Sequence, residues 1–151
     1  IGLWLREKDI LPEKRIRRVI REKLRLVGLG GRETIQIYKL SGGMKRRVAL
    51  ARTLILKPKI ILYDEPTTGL DPITANEIIQ LMLKIQKELN TASLIITHDM
   101  DCARVISNRM IILQDGINYA EGTYQELSKS NDPKVKAFFK EVQSRNHYDQ
   151  D

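Results

Sequence analysis

Cysteine, aromatic residues and long uncharged runs are all scarce in this chain, and each shortage closes off a class of protein. A single cysteine, Cys102, in 151 residues excludes a disulfide framework and a multi-cysteine zinc site, and fits a reducing compartment. The longest stretch without a charged side chain, Leu89 to His98, covers ten residues and includes Asn90, Thr91 and Ser93. A membrane-spanning helix needs about 20 apolar residues, so none is expected. No basic segment followed by an apolar run and a small-residue cleavage site opens the chain. With Ile1 rather than a methionine at the start, an incomplete N-terminus is expected. No glycine is followed by lysine, so the phosphate-cradling pattern G-x-x-x-x-G-K-[ST] does not occur.

What is present suffices for a folded core: 42% of the residues are hydrophobic and 30% charged, a balance unlike that of disordered chains. The net charge of +7 is unevenly spread, with 17 Lys/Arg against 5 Asp/Glu in residues 1–60 and 9 against 14 in residues 61–151. A basic half fits a nucleic acid or an anionic membrane surface, although a solvated helix face is the commoner reason for such a run.

Periodicity supplies the elements. Pro12 to Val27 reads as an amphipathic helix with Ile16, Val19, Ile20, Leu24 and Val27 on one stripe, Pro12 in its first turn and Gly28 at its stop. A second helix is expected from Ser41 to about Leu56, with Val48, Ala51, Leu54 and Ile55 inward. Ile60 to Tyr63 and Ser93 to Thr97 read as strands buried on both faces. Between them Asp71-Pro72 starts a helix carrying Ala75, Ile78, Ile79, Met82, Ile85 and Leu89. Asp101 to Ile106 follows as a helix, then Met110 to Leu113, the turn Asp115-Gly116, and Ile117 to Ala120 as a hairpin. Thr123 with Glu126 forms a capping box, and Asp132-Pro133 opens a last helix through Phe139 before a polar tail. Strands alternating with helices imply an α/β fold with a largely parallel sheet. The expected division is a helical lobe at 1–56, an α/β core at 57–127, and a helix and tail at 128–151.

Three places carry chemistry. Ser41-Gly42-Gly43 precedes a helix, whose free N–H groups and dipole attract anions, and glycines let a phosphate approach. Alone, such a triplet is more often an ordinary serine cap. Asp64-Glu65 ends the first strand; neighbouring strand residues face opposite ways, so one carboxylate can serve a Mg²⁺ shell and the other polarise a water. His98 follows the second strand, at the edge where open α/β sheets bind ligands. His147 lies in the polar tail and carries no such reading.

In order and spacing these elements resemble the nucleotide-binding domain of the ABC ATPases. Leu40-Ser41-Gly42-Gly43-Met44 is similar to the signature motif, Arg47 to Arg52 to the helix after it, and Ile60 to Glu65 to the Walker B strand. Thr68-Gly69-Leu70-Asp71 resembles the D-loop, His98 the switch histidine, and Asp115-Gly116 with Glu121-Gly122-Thr123 the closing hairpin. The resemblance covers nearly all of residues 1 to 127. It implies a P-loop NTPase-type fold with a helical signature subdomain, and ATP with Mg²⁺ as cofactors. It also implies roles. Ser41, Gly42 and Gly43 meet the γ-phosphate of ATP held by the opposite subunit of a head-to-tail dimer. Asp64 supports Mg²⁺, Glu65 is the base for the attacking water, His98 steadies the γ-phosphate, and Asp71 communicates across the dimer. The Walker A lysine, the adenine-stacking aromatic and the glutamine loop precede the helical lobe in the family and are missing here, so this chain alone is expected to be inactive.

Met44 in place of the usual glutamine, Asp71-Pro72-Ile73-Thr74, and Asn131 to Phe139 resemble the ATPase subunit of MCE-type, Mla-like lipid transport systems. That resemblance implies a peripheral protein on the cytoplasmic face of the inner or plasma membrane, coupled to a permease, with no direct nucleic-acid contact. The alternatives are the ATPase of another ABC importer, or a soluble ABC-type ATPase acting on nucleic acid or ribosomes. Soluble relatives usually interrupt the domain with a coiled coil or carry two cassettes, whereas Ser41 and Asp64 stand 23 residues apart.

Overall fold

The computed structural model describes residues 1–8 and 11–139, so the polar tail lies outside the described residues. They form two compact units that meet in sequence between Ile96 and Thr97.

In the first unit, helix α1 (Leu3–Glu7) packs on α2 (Glu13–Leu26). The amphipathic stripe is present as expected: Ile16, Leu24 and Val27 are buried, with Val19 and Ile20 packed beside them. Pro12 differs from expectation, because its ψ of 146° is extended. It stands just outside the first turn, and its carbonyl accepts from the N–H groups of Arg15 and Ile16. Gly28 follows the helix at φ +74°, the left-handed stop that glycine adopts without a Cβ penalty. Arg6 and Arg17 both donate to Glu13, and those hydrogen bonds, Arg6 first, lower the Glu13 carboxyl to about 2.

Helix α3 (Gly42–Leu54) and α4 (Pro72–Leu89) flank strand β1 (Ile60–Asp64), which pairs in parallel with β2 (Ala92–Ile96). The core joins Leu24 and Val27 of the α2 end, Leu50 and Leu54 of α3, Ile61 of β1, and Leu81 and Ile85 of α4. Helix α4 ends at Asn90 in the left-handed region.

The strands are not buried on both faces. Register pairs Ile60 with Ala92, Leu62 with Leu94 and Asp64 with Ile96, which sets these six residues on one face. Ile60, Leu62, Leu94 and Ile96 on that face are 58–72% exposed. The run is apolar enough to be covered twice, but among the described residues helices cover only the Ile61 side.

The second unit contains α5 (Met100–Ile106), the antiparallel hairpin β3 (Met110–Gln114) and β4 (Ile117–Gly122), α6 (Tyr124–Ser128), and helical residues 133–139. Asp115 and Gly116 both have positive φ, 52° and 78°, the pair of left-handed residues a tight hairpin turn requires. Thr123 and Glu126 form the reciprocal capping box. Ile112, Leu127 and Val135 make this unit's core.

Candidate functional site

The N-terminus of α3 is built by three local choices. Buried Leu40 anchors the approach, extended Ser41 caps the helix by accepting the Met44 N–H at 3.3 Å, and two glycines form the first turn. Helix geometry leaves the leading amides without acceptors inside the helix, so their partial positive charge faces outward at exposed Ser41 and Gly42. Gly43 has a second reason to lack a side chain: a Cβ there would stand 2.5 Å from Thr74 Cγ2. The signature turn is therefore packed directly on the first turn of α4. A Cβ on Gly42 would meet Leu70 at an ordinary 3.4 Å.

Strand β1 leads into two carboxylates in different settings. Asp64 is exposed, on the face that carries Leu62. Glu65 is half-buried and turns out of the strand with φ +45°, a left-handed conformation that costs a non-glycine residue roughly 1–3 kcal/mol. Two contacts hold it there. Its N–H donates to the Ile96 carbonyl at 2.9 Å, and its Oε2 accepts the Thr68 hydroxyl at 2.8 Å. The Thr68 carbonyl in turn accepts from Arg46 Nη2 of α3 at 3.3 Å. The chain Arg46–Thr68–Glu65 thus links the signature helix to the strand-end carboxylate.

Asp71 caps α4, its Oδ1 accepting the Thr74 N–H at 2.9 Å. Hydrogen bonding from the Thr74 side chain, then from its backbone, lowers the Asp71 carboxyl below its ordinary range. Arg47 ties the same helices, donating to Glu77 at 2.9 Å and to the Val27 carbonyl at 3.1 Å. Arg46 and Glu77 are structural members of the site that the sequence reading did not single out, and Arg47 and Thr74 appear in that reading within motifs but without these contacts. Nothing local marks them, because their partners lie 22 and 30 residues away for Arg46 and Arg47. Tyr63, beside Asp64, has a buried hydroxyl with no hydrogen-bond partner among the described residues, and burial pushes its phenol up to about 12.

His98 belongs to the second unit, two residues beyond the end of β2. It is exposed within a short turn fixed on both sides: the Asp99 N–H donates to Thr97 Oγ1 at 3.0 Å, and Asp99 Oδ1 accepts from Asp101 and Cys102 to start α5.

Among the described residues no group of three or more His, Cys, Asp or Glu could hold a metal ion. Mg²⁺ bound together with a nucleotide needs only one or two carboxylates, the rest of its shell coming from phosphate oxygens and waters. Exposed Asp64 can supply one. A cavity of about 150 Å³ between α3, β1 and α4, bordered by Arg46, Tyr63, Asp64 and Met82, is smaller than the roughly 300–1,000 Å³ of small-molecule sites.

Comparison with known proteins agrees with this arrangement. A family profile described as ABC transporter matches residues 5–68. The intermembrane phospholipid transport ATP-binding protein MlaF of Haemophilus influenzae is 40% identical over 140 residues, 93% of this chain and 53% of that protein. The methionine import ATP-binding protein MetN 2 of Enterococcus faecalis is 39% identical over 137 residues, 90% of this chain and 40% of that protein. The dimeric ATP-binding cassette MJ0796, solved after hydrolysis with ADP and Pi, superposes with a TM-score of 0.65 at 36% identity, over 75% of this chain and 49% of that one. The chain thus spans about half the length of the relatives it matches. These matches, with the α/β architecture shared with the solved cassettes, place the chain in one family: it belongs to the ABC transporter family.

Proposed function

We propose that the protein carrying this chain binds and hydrolyses ATP to drive an ABC transporter, most specifically a phospholipid transporter of the MCE type. The observation that carries the catalytic reading is the held conformation of Glu65, left-handed and tethered through Thr68 to the signature helix. A base positioned before substrate arrives loses no reorganisation energy when the water attacks.

In this reading Glu65 accepts a proton from water as its oxygen attacks the γ-phosphorus and the β–γ bridging oxygen leaves with ADP. Asp64 holds the Mg²⁺ shell; the ion, when bound, neutralises charge on the phosphate oxygens. Ser41, Gly42 and Gly43 offer amides and a hydroxyl to the γ-phosphate of ATP held by a second subunit, and His98 serves to steady the γ-phosphate. Asp71 acts at the dimer contact as the cap of α4. Residues 1–56 serve as the signature lobe, 57–127 as the catalytic core, and 128–151 as a C-terminal extension. The partners are a second ATPase subunit and a membrane permease, on the cytoplasmic face of the membrane.

Support for the lipid substrate comes from Met44, Asp71 to Thr74 and Asn131 to Phe139, together with the likeness to MlaF. A second reading, import of another solute, is favoured by the similar identity to MetN 2. The test is Glu65→Gln in the intact protein. Glutamine keeps size and most hydrogen bonding but cannot take the proton, so turnover is expected to vanish while ATP binding persists. Activity within a few-fold of wild type removes Glu65 as the base. Stimulation of wild-type turnover by reconstitution with an MCE-type permease and phospholipid supports the lipid reading, whereas coupling only to a solute importer selects the second.

A further inference from the structure

Helix α2 carries a charge pattern that the catalytic reading does not use. Lys14, Arg18, Arg21 and Arg25 recur at intervals of four, three and four residues, which places them on one stripe. At 1.5 Å per residue the stripe is about 16 Å long. All four are exposed and border one shallow depression with Glu22. Among the described residues none of the four has a carboxylate within ion-pair distance, while their neighbours do: Arg6 and Arg17 pair with Glu13, and Lys23 with Glu22. Like charges at this spacing repel, and Glu22, which lies among them, is paired with Lys23.

The rest of the helix narrows the partner. Its apolar residues are directed inward, with Ile16 and Leu24 buried, and among the described residues between Trp4 and Ile35 no large hydrophobic side chain is exposed. Hot spots of protein interfaces combine Trp, Tyr and Arg in well-packed, desolvated centres, and this face offers basic side chains with no aromatic or apolar centre to pack around them. Residues 13–26 contain no Asn, Gln, Ser, Thr or aromatic, so the face has little with which to read base edges beyond guanidinium groups and nothing aromatic on which to stack bases. A diffuse polyanion remains.

We propose that the Lys14–Arg18–Arg21–Arg25 stripe is a contact for anionic lipid headgroups, by which this lobe rests on the membrane surface independently of a permease. The placement at a membrane rests on the transport reading above. The contact is electrostatic and peripheral, because the apolar face of α2 is already used in the core.

The experiment is co-sedimentation of the intact protein, without ATP, with phosphatidylcholine vesicles and with vesicles containing roughly a third phosphatidylglycerol. Binding is expected only to the anionic vesicles, and to weaken with salt. The triple variant Arg18→Gln/Arg21→Gln/Arg25→Gln should lose on the order of 100-fold in partitioning, at roughly fivefold per charge. Arg→Lys at the same three positions should retain it. A control, Arg52→Gln/Lys57→Gln/Lys59→Gln, changes net charge equally on exposed positions elsewhere and should bind nearly as wild type. Equal loss in the control, no binding to anionic vesicles, or preferential capture by duplex DNA in competition would each overturn the proposal. Vesicle binding is read without turnover, so lack of ATPase activity with intact vesicle binding counts against the catalytic reading alone.

Discussion

Glu65 shows how one residue's conformation depends on a partner elsewhere in the chain. Its positive φ is unfavourable by itself, and the Thr68 hydroxyl at 2.8 Å is a contact that fixes where the carboxylate points. Thr68→Ala in the intact protein is expected to lower kcat roughly tenfold with little change in KM, because a base that wanders loses near-attack geometry. Thr68→Ser retains the hydroxyl and should stay near wild type. Equal kcat in both variants shows that Thr68 does not position the base. Gly43 is the second residue whose neighbour decides its identity. Replacing glycine by alanine in a helix ordinarily gains about 1 kcal/mol, but here the new methyl would stand 2.5 Å from Thr74 Cγ2. Thr74 cannot rotate away freely, since its side chain hydrogen-bonds Asp71. The clash should win, and Gly43→Ala is expected to destabilise the protein by about 1–3 kcal/mol. Adding Thr74→Ser removes the offending methyl and keeps the hydroxyl, so the double variant should recover most of the loss. A chemical-denaturation cycle in which the two changes simply add refutes the contact.

At the level of elements, what sequence made legible was local. The stripe of α2, the Asp71 cap, the Asp115-Gly116 turn and the Thr123/Glu126 box each depend on residues within a turn or two of one another. The structure places all of them as read. The apolar runs of β1 and β2 were misread in one respect, because composition says that a strand can be buried twice but not what covers each face. Arg46–Thr68 and Gly43–Thr74 were illegible for a related reason: both contacts span more than 20 residues. The same local caps make the second unit acid-sensitive. The backbone N–H of Thr123, then its hydroxyl, lower the Glu126 carboxyl, and the Val135 N–H, then the Tyr119 hydroxyl, lower that of Asp132. Arg109 does the same to Glu121 across the hairpin. Each folded-state pKa lies below its unfolded value, so the stabilisation is complete above the ordinary carboxylate range. It is lost as pH falls through the depressed values, below about pH 4. Amide protection at Thr123 and Val135, measured against the unfolded rate at the same pH, should therefore fall there, and Glu126→Gln should flatten the dependence at Thr123 alone. Protection unchanged between pH 7 and about 3 contradicts it.

For the molecule as a whole, the question is how much of an ATP site 151 residues can make. The groups that this chain offers to nucleotide are of two kinds. Asp64 and Glu65 present negative charge, which repels ATP unless a cation stands between. The amides at Ser41 to Gly43 are positive in sense but neutral overall, at a helix end worth typically 0.3–1 kcal/mol per charge in exposed settings. Lysine reaching the β- and γ-phosphates from a glycine-rich loop is what normally tips this balance, and no glycine here is followed by lysine. The basic excess of residues 1–60 does not substitute for it. Its α2 members lie on a face without aromatic or amide groups to hold a nucleotide, and others, such as Arg52, Lys57 and Lys59, are scattered exposed positions. Millimolar ATP is therefore expected to give no heat of binding with this 151-residue chain, and no phosphate release, even with Mg²⁺ present. Adding a subunit that carries a Walker A loop should restore an effect of Ser41 under the proposed function, in which the turn at Ser41 to Gly43 acts on ATP held by a second subunit. In that mixture Ser41→Arg should abolish the gain in turnover without altering the partner's own ATP affinity. Micromolar binding by this chain alone, or an undiminished gain with Ser41→Arg, would show that the nucleotide is gripped by groups other than those assigned here.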